Sequence, residues 1–186
     1  VDDLKNTRSG RRDKKSSQYG WVATVFCIAV TLSAVLSLAS ESLMAGAGVA
    51  VALLILALFI GLGILFDIIG VAVTAADEKP FHSMAAHREK GAREALRLLK
   101  NASRVSSVCN DVVGDICGIV SGTTAAVIVT QLQRSLNTRT VLLSVGVTAL
   151  ISGLTIGGKA LGKTFAIRKS TQVVFLAGRF LHLFHR

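Results

Sequence analysis

Four stretches of this chain, Trp21 to Ala39, Gly46 to Ala76, Val108 to Leu132 and Val141 to Gly158, are apolar enough to leave water. As helices rising 1.5 Å per residue, each crosses or nearly crosses a hydrocarbon core about 30 Å thick. In lipid every backbone N–H and C=O must be paired within the protein, so segments of this kind span as helices. With 51% hydrophobic and 17% charged residues among 186, an ordinary soluble core is excluded. The expected fold is an all-α integral membrane protein with four transmembrane helices and inner-surface juxtamembrane amphipathic helices. Gly46 to Ala76 is too long for an upright span and should tilt or project.

The net charge of +10 raises nucleic acid as a partner, but the distribution of the charge points elsewhere. Lys and Arg number six in residues 1–20, seven in 77–107 and six in 159–186, against only Arg134 and Arg139 on the other side. That asymmetry follows the positive-inside rule, which places both termini and the central loop in the cytoplasm of a multi-pass cell-membrane protein. The lipid bilayer is the expected partner, and nucleic acid is not. Cys27, Cys109 and Cys117 fall within spans, without disulfide or zinc spacing, and read as small packing groups. His82 with His87 and His182 with His185 lack Cys or acidic neighbours suited to a metal.

Around the transmembrane domain, 21–158, the chain divides into a basic tail over 1–20 and a basic amphipathic interfacial helix over 159–186. Tyr19 and Trp21 mark the first interface, and Trp21 opens a retained anchor. Pro80, the one proline, is expected to stop the second helix. Over 85–101, Ala92, Ala95, Leu96 and Leu99 recur at helical spacing beneath charged residues, predicting an amphipathic juxtamembrane helix. After the last span, Val173, Ala177, Phe180 and Phe184 form an apolar stripe beside Arg179, His182 and Arg186.

Three carboxylates, Asp67, Asp111 and Asp115, interrupt the apolar runs. Inserting one costs roughly 3 kcal/mol, so each should face protein, water or a cation. Gly63, Asp67, Gly70 and Thr74 share one face of the second span, and Asp111, Asp115, Gly118 and Gly122 share one face of the third. Gly114 adds a further small residue to the third span, and such glycines let helices approach closely. Asp67 and Asp115 lie roughly 12–14 Å from the inner ends of their helices, with Asp111 about 6 Å shallower. No Lys or Arg lies within these spans, which leaves a cation as the cheapest neutraliser. Asn110, Ser106, Ser107 and the hydroxyl row Ser144, Thr148, Ser152 and Thr155 add oxygen, a donor set suited to magnesium or calcium. Aspartates protonated and hydrogen-bonded between helices are the alternative.

The order of segments from Phe66 to Phe184 resembles the transmembrane domain of the CNNM/CorC (cyclin M) family of magnesium transporters. Lys90 to Val105, KGAREALRLLKNASRV, is similar to the family segment preceding its second conserved span, and Gly118-Ile119-Val120-Ser121-Gly122 to its Gly-Ile-Leu-Ser-Gly run. Gly158-Lys159-Ala160-Leu161-Gly162-Lys163 stands in the place of the family's Gly-Glu-Ile-hydrophobic-Pro-Lys motif, with Lys159 for the Glu and Gly162 for the Pro. The family's cytosolic CBS pair does not follow within this sequence.

The resemblance implies a homodimeric bundle that holds a dehydrated divalent cation near its middle, with Asp67 and the stretch Asn110 to Asp115 at the matching positions. The functional expectation is thus a protein that binds and transports a divalent cation, Mg²⁺ foremost, through Asp67, Asn110, Asp111, Asp115, Ser144 and Thr148. Gly63, Gly70, Gly114, Gly118 and Gly122 are the expected helix-packing positions. The alternative is a non-transporting regulatory or scaffold module that dimerises or assembles with a separate cytosolic regulatory subunit. Holin-like pore formation is a further option. No nucleophile–base pair, phosphate loop or paired His-Glu motif is present, so enzymatic activity is not expected.

Overall fold

A computed structural model describes residues 2–44, 46, 48–135 and 141–184, with side chains described from residue 20 to 183. Arg139, His185, Arg186 and the side chains of Tyr19 and Phe184 lie outside the described residues.

All described elements are helical. They run α1 Asp2–Met44, α2 Val49–Ala75, α3 Lys79–Ala86, α4 Ala92–Lys100, α5 Ala102–Ser107, a π-helix Val108–Gly114, α6 Asp115–Ser135, α7 Val141–Arg168 and α8 Ser170–Phe184. Four segments are long and apolar enough to cross a membrane, Gly20–Met44, Val49–Ala75, Ala102–Ser135 and Val141–Arg168. The all-α membrane fold with four spans is the one the apolar pattern implied.

α2 is the central helix and packs against α5, the π-helix, α6, α7 and α8. Its 27 residues measure about 40 Å, longer than the hydrocarbon core. Ile55 and Phe59 of α2 pack with Val112, Ile116, Cys117 and Val120 across the π-helix and α6. Toward the start of α2, Ala52 and Leu56 meet Ala125 and Ile128. α1 lies outside this seam, with Val25, Ala29, Leu32 and Leu36 against it and Val22, Phe26 and Leu38 exposed in the direction lipid would occupy. Buried Ser40 lies against α6, its Oγ 3.5 Å from Thr124 Oγ1. At the other end Arg104 of α5 sits over the Trp21 ring, 5.0 Å from its centroid.

A second core closes the opposite end of α2, where Ala72, Val73, Phe81, Ala95, Leu99, Ala166 and Val174 bring α2, α3, α4, α7 and α8 together. It gathers the basic central segment and the basic C-terminal segment at one end of the bundle. Gly91 makes this possible. It has φ 93°, and a Cβ there would stand 2.6 Å from the Arg179 backbone N and Cα. A Cβ on Gly178 would in turn meet the Gly91 carbonyl oxygen at 2.5 Å, so α4 and α8 touch backbone to backbone.

Several boundaries differ from the sequence reading. Residues 1–20, read as a separate tail, are helical from Asp2 and continuous with the first span; extending a formed helix needs no new nucleus. The single helix expected over 85–101 is broken, because Arg88 at φ 56° and Gly91 take the left-handed region between α3 and α4. Pro80 does not end α2, which stops at Ala75; it opens α3, where its missing N–H costs nothing. Just ahead of that helix, Asp77 Oδ1 accepts the Lys79 N–H at 3.2 Å.

The last span does not end at Gly158 but continues through Lys159 to Arg168, and the following helix starts only at Ser170. Gly162 packs on Ile68 of α2, which holds α7 helical past the first charge. On α8 the inward row is Val174 and Gly178, offset from the expected stripe, and Phe180 is exposed.

Candidate functional site

Asp67 is 4% exposed, in the last third of α2, and faces the π-helix. The contact is close because Gly114 ends the π-helix opposite it: a Cβ on Gly114 would stand 2.9 Å from Asp67 Oδ1, 3.4 Å from the Cys109 carbonyl oxygen and 3.7 Å from Lys159 Nζ. A carboxylate, a main-chain carbonyl and an ammonium therefore converge on one glycine. Lys159 Nζ lies 3.5 Å from Asp67 Oδ2, with 25% of the lysine side chain exposed against 6% of the aspartate. A buried carboxylate needs a counter-charge, and within this chain Lys159 supplies it.

One turn along α2, Gly70 receives Asn110, whose carboxamide fills the space a Cβ would take. Asn110 Nδ2 donates to Ser106 Oγ at 3.2 Å, while its Oδ1 is buried with no hydrogen-bond partner. A buried oxygen without a donor is unusual enough to call for a ligand or water. π-helical turns, with their i→i+5 bonding, are enriched at functional positions. This one presents Asn110, Gly114 and then Cys117 to α2, with Gly63 against Cys117 at 3.2 Å from a built Cβ.

The structure thus joins Asp67, Asn110, Gly63, Gly70 and Gly114, and it separates the other candidates from them. Asp111, Asp115, Gly118 and Gly122 do share a face, but that face is exposed and turned away from α2. Among the described residues no atom approaches a Cβ built at Gly118 or Gly122 within 4 Å, so neither packs against another described helix. Among the described residues no three His, Cys, Asp or Glu side chains come together.

Ser144 and Thr148 sit on α7 roughly 22 and 16 Å along its axis from Lys159. Thr148 is exposed and spends its hydroxyl on the Ser144 carbonyl at 2.8 Å, and Thr155 does the same toward Ile151 at 2.8 Å. These hydroxyls satisfy their own helix and do not reach Asp67.

The residue missed in the sequence is Lys159 as partner of Asp67. Its signal was Gly158 and Gly162, a small-residue pair at i, i+4 that marks where α7 closes on α2, with a Cβ on Gly158 reaching Ile64 Cδ1 at 2.5 Å. The Cys109 carbonyl was not foreseeable, because its place beside Gly114 depends on the π-helical turn.

Outside the spans, α4 and α8 are joined by His182 Nδ1 and Glu94 Oε1 at 3.0 Å. The hydrogen bond from the His182 ring holds the Glu94 carboxyl below its ordinary value against the opposing effect of burial.

The family model for the cyclin M (CNNM) transmembrane N-terminal domain matches residues 53–186. No curated protein and no solved structure matches the chain significantly.

Proposed function

Because the chain belongs to the cyclin M transmembrane domain family, a family associated with divalent cation transport, we propose that it binds a divalent cation between α2 and the π-helix and carries it across the membrane. The observation that supports this reading is the buried oxygen set on one seam. The Asp67 carboxylate and Cys109 carbonyl converge at Gly114, and the partnerless Oδ1 of Asn110 lies one turn away. Oxygen donors of this kind suit a hard cation, with Mg²⁺ the cargo proposed, and a partly hydrated ion would bridge the two positions through its own waters.

Binding requires dehydration, which carboxylate and carbonyl oxygens repay in part. Release requires α2 and the π-helix to separate or slide. The glycines at 63, 70 and 114 bring the two backbones close on that seam, and the Asn110 carboxamide seated at Gly70 must move with the π-helix.

The exposed face of Asp111, Asp115, Gly118 and Gly122 supports a homodimer in which a second copy covers it, since two carboxylates and two bare glycines fit a protein neighbour better than lipid. The 19-to-2 division of basic residues supports both termini in the cytoplasm.

The test is divalent flux into liposomes containing the purified protein, read with a Mg²⁺-sensitive dye. Wild type should carry flux, and Asp67→Asn and Asn110→Ala should each reduce it at least tenfold, with helicity retained by circular dichroism. Flux in both variants equal to wild type would leave the seam as packing only, and absence of flux in wild type would favour a non-transporting scaffold.

A further inference from the structure

Lys159 is the one described cation in contact with Asp67, and it reaches the carboxylate from α7, a different helix from those that form the rest of the seam. The 3.5 Å separation is longer than the roughly 2.7–2.9 Å of a tight charge-assisted hydrogen bond. The ammonium rests against the carboxylate without being locked to it. A quarter of the lysine side chain is exposed, while Asp67 is almost wholly enclosed. The flexible four-carbon stem can therefore carry the ammonium away along the surface of α7, but the aspartate cannot follow.

Gly158 and Gly162 fix the spacing of α7 and α2 on either side of the lysine, through Ile64 and Ile68. Withdrawal of Lys159 needs a change of rotamer and no movement of the helices. Nζ also lies 3.7 Å from the point where a Gly114 Cβ would stand, the same point approached by Asp67 Oδ1 and the Cys109 carbonyl. The ammonium thus lies within a few ångströms of the oxygens that a divalent ion would use. A divalent ion on Asp67 and an ammonium on the same carboxylate repel each other at that distance.

We infer that Lys159 is a tethered competitor of the transported cation: its ammonium occupies the Asp67 carboxylate when the site is empty and must swing out along α7 when a divalent ion enters. This rests on the cation site proposed above. It adds that the site alternates between an internal monovalent partner and an external divalent one. The buried carboxylate is never left uncompensated, and the resting affinity is held down.

The experiment uses the full chain in lipid nanodiscs, with Mn²⁺ as the probe at constant ionic strength. Lys159 acylation by an amine-reactive reagent is followed by peptide mass spectrometry, with and without Mn²⁺, beside Mn²⁺ titrations of wild type, Lys159→Gln and Asp67→Asn. Saturating Mn²⁺ should speed labelling of Lys159 several-fold while leaving Lys163 unchanged. Lys159→Gln should bind Mn²⁺ about tenfold more tightly, a coupling of ordinary size between two competing ligands.

Labelling unaffected by Mn²⁺, together with equal affinity in wild type and Lys159→Gln, would overturn the tether while loss of binding in Asp67→Asn kept the site. Absence of Mn²⁺ binding in both wild type and Lys159→Gln would overturn the site and the tether together. The labelling arm uses wild type alone, so it decides the question even if Lys159→Gln folds poorly.

Discussion

Lys159 Nζ lies 3.5 Å from Asp67 Oδ2, across the contact between α7 and α2, and joins two residues 92 positions apart in sequence. Removing either partner strands the other in a poorly hydrated setting. Lys159→Met is expected to cost about 3 kcal/mol and Asp67→Asn somewhat less, since the longer lysine can reach water. Asp67→Asn/Lys159→Met should recover most of the loss. Unfolding in mixed micelles analysed as a double-mutant cycle checks this, and additive single losses would show that the two side chains do not interact.

The two kinds of glycine on the third span should behave differently. Gly114→Ala puts a methyl 2.9 Å from Asp67 Oδ1, so it is expected to destabilise by about 1–3 kcal/mol and to weaken divalent binding. Gly118→Ala and Gly122→Ala meet nothing among the described residues of their own chain, so the protomer should change by less than about 0.5 kcal/mol. If a second copy covers that face, the same two substitutions should loosen the dimer, which light scattering in detergent reports.

The spans were legible because an apolar run of membrane length has few alternatives, and Asp67 was legible because a carboxylate inside such a run is costly. Periodicity also grouped Asp111, Asp115, Gly118 and Gly122 correctly on one face. It carried no information about which neighbour that face meets, and the structure turns it outward. Lys159 was lost by ending the fourth span at its first charge, although a lysine stem can lie along an apolar helix face with its ammonium aimed at a carboxylate. The break between α3 and α4 was hidden for a related reason. Helical spacing was kept on both sides of it, while Arg88 and Gly91 changed the direction of the chain.

At the end of the bundle where α4 meets α8, Gly91→Ala should be among the most damaging substitutions. It places a side chain at φ 93° and drives it into the Arg179 backbone, an expected loss of more than about 2 kcal/mol. Hydrogen exchange should then rise in α8 and in the first turn of α4 before it rises in α2. Equal exchange throughout would mean that α8 does not depend on this contact.

The Glu94–His182 pair gives the same end a pH dependence. The folded Glu94 carboxyl is held below its ordinary value, so the folded state binds its proton less readily than the unfolded state. The stabilising contribution is present above the ordinary carboxylate range and is lost as pH falls through that range to the lowered folded value. Limited proteolysis of α8 should accelerate on acidification in wild type and show a smaller change in Glu94→Gln. An identical acid profile in the two proteins would remove Glu94 from the docking of α8.

The central claim is that a divalent cation binds at Asp67 on the seam between α2 and the π-helix. Calorimetric titration of Mg²⁺ into the wild-type protein and the Asp67→Asn and Asp111→Asn variants, each in nanodiscs, tests it most directly. Saturable binding should be present in wild type, absent in Asp67→Asn and within about threefold of wild type in Asp111→Asn, a difference of less than about 0.7 kcal/mol. Binding that survives Asp67→Asn but disappears in Asp111→Asn would contradict it and move the cation to the exposed face.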